Sequence, residues 1–379
     1  MKQSWEIKTI GEVCKVIAGQ SPESKFYNNI GNGLPFYQGK KEYGEKYIGE
    51  PTAWTTKITK EAEANDILMS VRAPVGPINF ATQKICIGRG LAAIRATKLI
   101  DKEFLFNFLL KHESEIIGNT GAVFNSINKA QIEAIEIPVP PLSEQQLIVA
   151  ILDDAFDAIA KAKANAEQNL KNAKELFESY LQGLFENKGD GWEEKTLGEI
   201  CDLSAGGDVP KDNFSKTKTE KYSIPIFANG EKNDGLYGFT SVAKITKPSI
   251  TVSARGTIGY SVKRLKPFFP VVRLVVVTPK DLDKIELDFL NYVIKTIDFK
   301  HSGSSIPQLT VPMIKDYSIV FPSKQAQQTI VRQLDALRDE TQKLEAIYQK
   351  KLNDLEELKK SVLQKAFAGE LKTEKLQTV

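Results

Sequence analysis

Histidine is nearly missing from this chain. There are two in 379 residues, His112 and His301, and neither sits in a catalytic motif. That leaves a Ser-His-Asp relay unsupported and supplies too few imidazoles for a zinc site. Cysteine is as scarce: Cys14, Cys86 and Cys201 are scattered, odd in number and form no CxxC, so a disulfide framework is not expected. No apolar run approaches the roughly 18 residues of a membrane span. The opening Met1–Val13 has no apolar core behind its lysine, so the expectation is no leader, no membrane and a cytoplasmic protein. No GxxxxGK[ST] cradle for phosphates is present. An amino-methylating enzyme would need a Gly-rich turn for adenosylmethionine and a (D/N)-P-P-(Y/F) tetrapeptide; Pro138-Val139-Pro140-Pro141-Leu142 lacks the acid or amide and the aromatic. Glu6-Ile7-Lys8 and Glu193-Glu194-Lys195 resemble half of a nuclease site, but the first has no acid upstream to complete a metal pair. The net charge of +3 excludes nothing by itself.

What the chain does have is itself twice. Trp5-Glu6-Ile7-Lys8-Thr9-Ile10-Gly11-Glu12-Val13-Cys14 returns as Trp192-Glu193-Glu194-Lys195-Thr196-Leu197-Gly198-Glu199-Ile200-Cys201 at an offset of 187, and Ala18-Gly19 returns as Ala205-Gly206. Pro35-Phe36-Tyr37 answers Pro225-Ile226-Phe227 at 190; Ser70, Arg72 and Gly76 answer Ser253, Arg255 and Gly259 at 183. Gln145-Gln146 and Leu152-Asp153 answer Gln327-Gln328 and Leu334-Asp335 at 182. The offset drifts only in the middle, so scaffold and helix are duplicated while loops have diverged in length. Cys14 and Cys201 share a repeat position, which suits small buried apolar residues.

Each copy ends in a long amphipathic stretch. From Ile148 to Leu184, and again from Ile330 to Ala366, apolar or small residues recur at a mean spacing of 3.6, the helical period. Pro138, Pro140 and Pro141 forbid helix just before the first stretch, and Ser143 with Gln146 reads as a capping box. A helix of this length would be roughly 60 Å long, more than one domain can cover, so the two stripes are expected to pair as a coiled coil. The expected organisation is a globular unit over 1–141, a helix over 142–188, a second unit over 189–322 and a second helix over 323–379.

Within each unit the pattern is mixed. Val13–Ile17, Asp66–Val71, Lys84–Ile87, Leu91–Ala96 and Ile135–Val139 read as strands, and Phe104–His112 as a helix entered through Asp101. Ile250–Ala254, Val271–Thr278, a helix Asp288–Ile297 and Asp316–Phe321 repeat the arrangement. The fold class is α+β.

Local charge is uneven. Residues 243–280 carry eight lysines and arginines and no acid; residues 64–100 carry Arg72, Lys84, Arg89, Arg95 and Lys98 against Asp66 alone. Such a basic platform suits phosphate contacts, and equally a solvated sheet face balanced elsewhere. Loops at matching places add groups that pair with base edges: Tyr37, Gln38, Lys40 and Lys41 in one copy, Asn229 and Lys232 in the other. Arg72 and Arg255 each follow a strand at a Gly-containing turn; Arg89, Lys263 and Arg264 lie in the basic stretches. Asn119 and Asn125, and Ser304 and Ser305, form a second polar rim. Gly76 and Gly259 are expected to serve turn geometry.

Taken together, W-E-x-K-T-(I/L)-G-E opening each copy and Pro140-Pro141-Leu142-Ser143-Glu144-Gln145-Gln146 leading into the first helix resemble the specificity subunit of type I restriction–modification systems. Phe321-Pro322-Ser323-Lys324-Gln325-Ala326-Gln327-Gln328 is a degenerate version of the second motif. The resemblance covers the whole chain. It implies two target recognition domains, each reading half of a split duplex DNA site, joined by an antiparallel coiled coil that fixes the gap. It implies two methyltransferase subunits and motor–nuclease subunits as partners, with Gln145, Gln146, Gln327 and Gln328 as partner-binding candidates. S-adenosylmethionine, ATP and magnesium would belong to those partners, with no cofactor, metal or catalytic residue in this chain. The competing expectations are an interaction scaffold without DNA reading and a self-contained DNA enzyme; the missing cofactor motifs weigh against the enzyme.

Overall fold

The structure, a computed structural model, describes residues 5–118, 126–186, 191–299 and 308–371, with the side chains of 114–118 left aside. The chain divides into two compact units, residues 1–167 with 350–379, and residues 168–349. Each unit therefore takes in part of both long helices, Leu142–Glu186 and Lys324–Ala368, rather than leaving them as separate segments.

In the first unit a four-stranded antiparallel sheet runs in the order Cys14–Ala18, Leu91–Ala96, Ile67–Ser70, Ile78–Phe80. Its central strands are apolar on both faces, and the two-residue period sorts them into two cores. Ile67, Met69, Ala92 and Ile94 face the helix Lys102–Gly118, with Phe104, Leu105, Phe108 and Leu109; Leu68, Leu91 and Ala93 face a second core with Tyr37, Ile85 and Ile87. Over that second core lies a five-stranded sheet of short strands, Tyr27–Asn28, Trp54–Thr55, Leu34–Tyr37, Ile85–Ile87 and Glu61–Ala62. The helix starts where expected: Asp101 Oδ1 accepts from Glu103 N and Phe104 N. Both long helices feed the first core, through Ile148, Leu152, Leu363, Ala366 and Phe367, with Phe367 edge-on to Phe104 and Phe108. They run antiparallel here, Lys359 lying over Phe156 and Lys163 pairing with Glu356 at 2.6 Å.

The second unit repeats the scaffold. Its sheet runs Cys201–Ala205, Val275–Pro279, Ser249–Val252, Ser261–Arg264, and its helix is Leu287–Thr296. In each unit a strand from the opening motif, Glu6–Thr9 or Glu193–Thr196, pairs antiparallel with the strand before the long helix, Glu136–Val139 or Ser318–Phe321. A one-turn helix then follows, closed by reciprocal Thr9–Glu12 and Thr196–Glu199 bonds, which is the reason for the repeated T-x-G-E. The repeated Ala-Gly has a cause too: a Cβ on Gly19 would lie 2.1 Å from Gly88 O, and one on Gly206 2.6 Å from Val271 N. The copies part at the smaller sheet, which in the second unit has three strands, Leu236–Thr240, Ile224–Phe227 and Phe269–Pro270.

Three local expectations fail, and one feature goes unread. The first long helix begins at Leu142, its opening amide bonds going from Glu144 N and Gln145 N to Pro141 O, so Ser143 lies inside the first turn and caps nothing. The stripe of the last helix slips, leaving Leu344 and Leu358 exposed. Residues 271–274 form a turn, not the start of a strand, because Leu274 N bonds Val271 O. Apart from Ile85–Ile87, the strands of the smaller sheets went unread, since strands of two to five residues carry too few alternations to be seen.

Candidate nucleic-acid interface

Three backbone segments of the second unit meet around one amide side chain. Asn229 Oδ1 accepts from Ala254 N at 2.7 Å, and Asn229 Nδ2 donates to Val272 O at 2.6 Å. One residue on, Gly230 N donates to Ser253 Oγ at 3.1 Å. The 228–235 loop, the turn after Val252 and the turn before Val275 are thereby tied together. The middle turn closes through Gly259 N to Ser253 O, and Leu309 N to Ala254 O adds a fourth segment.

The first unit makes the same junction from main-chain bonds. Gly76 N donates to Ser70 O and Ile127 N to Val71 O; Gly88 N donates to Tyr37 O and Gly90 N to Gln38 O. At the offset of 190, Gly39 stands where Asn229 stands, so no side chain enters, and Ser70 Oγ turns back onto Arg72 O and Pro74 O. Gly76 at φ 112° and Gly259 at φ 90° serve turn geometry, as expected.

Of the side chains singled out in the sequence, Gln38, Lys40, Lys41, Arg72 and Arg89 are exposed on the first junction, and Lys232 and Arg255 on the second. Arg255 Nη2 donates to Gln308 Oε1 at 2.8 Å, an amide rather than a carboxylate, so its charge is not neutralised there. The side chain of Arg273, one of the basic run but not singled out, is exposed on the turn that Asn229 holds and makes no hydrogen bond or ion pair with the described residues.

Six assignments change. Tyr37 is 1% exposed, a core residue whose Oη donates to Gly49 O, and burial raises its phenol to about 12. Asn229 spends both ends of its amide on main chain, so it braces the loop instead of facing a base. Lys263 pairs with Asp288. Arg264 is buried: its Nε donates to Thr251 Oγ1 at 3.1 Å, its Nη2 to Asp234 O, and its guanidinium lies 3.5 Å above the Phe227 ring. Burial pulls its pKa down to about 10 against the pull of Asp234 and Tyr260. Gln145 and Gln327 are 0% exposed and cannot meet a partner. Gln145 accepts from Asp101 N and donates to Leu99 O and Pro140 O; Gln327 accepts from Glu286 N and donates to Lys284 O and Pro322 O. Each ties the start of its long helix to the start of the scaffold helix. Gln146 and Gln328, next along, are exposed. Asn119, Asn125, Ser304 and Ser305 lie outside the described residues.

Among the described residues no group of three or more His, Cys, Asp or Glu side chains is placed to hold a metal. Burial pushes the Cys14 and Cys201 thiols up to about 12, which keeps them protonated and inert. No described helix is long and apolar enough to cross a membrane. What the junctions offer is two platforms of exposed cations, joined by the Gln38 amide on the first, on turns held by hydrogen bonds.

A family model described as the type I restriction modification DNA specificity domain matches the chain twice, over residues 2–171 and 189–357. A Mycoplasma pneumoniae protein named as type I specificity subunit S.MpnORF89P is 33% identical over 306 residues, 77% of this chain and 85% of that protein. A Methanocaldococcus jannaschii type I restriction enzyme specificity subunit is 43% identical over 186 residues, 48% of this chain and 43% of that longer protein. Among solved structures, a chain from a study of type I R-M complex assembly superposes with TM-score 0.80 at 19% identity, covering 98% of this chain and 99% of that one. The HsdS subunit from Thermoanaerobacter tengcongensis superposes with TM-score 0.68 at 19% identity over 98% of both. At that identity the two superpositions speak for the fold.

Proposed function

We propose that this chain, which belongs to the type I restriction modification DNA specificity domain family, is a non-catalytic specificity subunit that binds a bipartite duplex DNA site, one half per unit. The observation that carries this reading is the junction built twice: the same main-chain framework, with different exposed side chains on each copy. A common frame docks both units on the phosphate backbone alike, while differing tips allow two different half-sites, so the target need not be a palindrome.

On this reading the partners are duplex DNA, two methyltransferase subunits and, in the full assembly, motor–nuclease subunits. Those subunits carry S-adenosylmethionine, ATP and magnesium, and the assembly works in the cytoplasm. The paired long helices act as the spacer that sets the gap between half-sites, and exposed Gln146 and Gln328 take over the partner-binding role that buried Gln145 and Gln327 cannot fill.

Binding to duplexes across a salt series tests it. The expected result is a sequence preference together with an affinity that falls linearly with salt on logarithmic axes. A protein-interaction scaffold would show neither. Within that series, Arg255→Ala should weaken cognate and non-cognate duplexes alike and reduce the salt slope by about one. A lowered thermal midpoint with an unchanged slope would instead make Arg255 a brace.

A further inference from the structure

A four-residue turn leads into the last strand of each four-stranded sheet, Leu91–Ala96 and Val275–Pro279, and the two turns differ in hand. Both copies close it with the same bond, Leu91 N to Gly88 O at 3.0 Å and Leu274 N to Val271 O at 3.1 Å. In the first unit neither Arg89 nor Gly90 is in the left-handed region. In the second, Val272 has φ 53° and Arg273 φ 63°. A left-handed pair is the hairpin geometry for which Asn-Gly is the suited sequence, and a β-branched residue there is an outlier. Valine and arginine are poorly suited to it.

The main chain of this turn is nevertheless held from several sides. Val272 N donates to Gly207 O, Arg273 N to Gly206 O, and Val272 O accepts from Asn229 Nδ2. The side chains are not held: Val272 is 42% exposed, and Arg273 is exposed without a partner among the described residues. A backbone clamped against the preference of its residues, with those residues turned to solvent, marks a place where side-chain identity serves something other than folding.

We propose that the Val271–Leu274 turn is the sequence-reading tip of the second unit, and that Arg273 reads a guanine in its half-site. This rests on the DNA-reading function proposed above and adds the residue and the base. The guanidinium offers two parallel donors that match guanine O6 and N7. Val272 beside it is an apolar contact for a neighbouring thymine methyl. The first unit carries its arginine one place earlier, Arg89 standing where Val272 stands and Gly90 where Arg273 stands, in a turn without a left-handed pair. The two arginines therefore leave their backbones in different directions, which lets one frame serve two half-sites.

The test is selection from a pool of random duplexes, using the full chain with its methyltransferase partner, for the wild type, Arg273→Gly and Arg273→Lys, with thermal melting of each. The wild type should enrich a motif with guanine in the second half-site. Arg273→Gly should lose the preference at one position there and weaken cognate binding roughly tenfold to a hundredfold. It should also melt no lower than the wild type, since glycine suits a left-handed φ. Arg273→Lys keeps the charge but loses the paired donors, so it should relax the same position. Full retention of the motif by Arg273→Gly would overturn the proposal and leave the DNA reading standing. Equal weakening of all sequences, rescued by lysine, would overturn it in favour of a phosphate contact. No enriched motif for the wild type would remove the function on which it rests.

Discussion

Where the two central strands of the first scaffold sheet have Asp66 and Arg95 at one end, those of the second have Ser249 and Thr278, at the same offset of 183. One pair is a two-pronged ion pair, with Arg95 Nε and Nη2 at 2.8 and 2.7 Å from the carboxylate; the other is a hydroxyl pair at 2.8 Å. By contrast, Gln145 and Gln327 are the same residue, making the same three bonds. The difference teaches what duplication leaves free. A side chain that satisfies main-chain groups must keep its shape, because those groups stay in place. A side chain whose main partner is another side chain, with a single main-chain bond beside it as at Asp66 and Ser249, can change if its partner changes with it. Trp5 and Glu144 illustrate the second case: Trp5 Nε1 donates to Glu144, but Ala326 stands at the matching place, and Trp192 packs on Phe185 and Phe289 instead. Exposed tips such as Arg89 and Arg273 are under neither constraint.

The largest expected effect comes from separating the copies. Replacing residues 1–141 with the matching segment of another family member should change one half-site completely and leave the other intact. Gln145 would meet main-chain groups in the newcomer as it does here, so the graft should fold. A change in both half-sites, read by duplex selection, would break the independence of the units.

Next come the paired glutamines. Gln145→Leu and Gln327→Leu each leave one buried N–H and two carbonyls unanswered, at a cost of about 3 kcal/mol. Denaturant unfolding should give similar losses for the two. If either variant kept its stability and lost only partner binding, the glutamine would be an interface residue after all.

The ion pair should cost less. Arg95→Thr alone strands the Asp66 carboxylate, 3% exposed, with Glu63 N as its remaining partner, for about 2 kcal/mol of lost stability. Adding Asp66→Ser rebuilds the pair of the second unit and should recover most of that. A double variant as unstable as the single would show that the two sheets are not interchangeable at this point.

The smallest effect is in acid. Donation from Thr9 N, then from Thr9 Oγ1, holds the exposed Glu12 carboxyl below the ordinary glutamate range, and Thr196 does the same for Glu199. A lowered pKa stabilises the fold above the ordinary glutamate value, and that contribution is lost as pH falls through the folded value. Glu12→Gln and Glu199→Gln should each flatten the acid side of the stability profile slightly and equally. Unequal responses would distinguish the two caps.

Much of this was written in the sequence because duplication and period are long-range signals. The repeat, both long helices and the central strands of the scaffold came from patterns that dozens of residues share. Three things escaped. Strands of two residues in the smaller sheets carry no period. The turn at Val271–Leu274 hides in a β-branched run without glycine or asparagine, so its hand and the placing of Arg273 show only in the backbone. Burial hid the rest: Tyr37, Asn229, Arg264, Gln145 and Gln327 have the chemistry of contact residues, and the fold spends that chemistry internally.

The central claim, that two units read two separate half-sites, is met most directly by sequencing methylated bases in a host carrying this chain and its methyltransferase, with and without the gene for this chain. The account predicts that one bipartite, non-palindromic motif with a fixed gap disappears when the gene is removed. Loss of a single uninterrupted motif, or an unchanged methylation pattern, would contradict it.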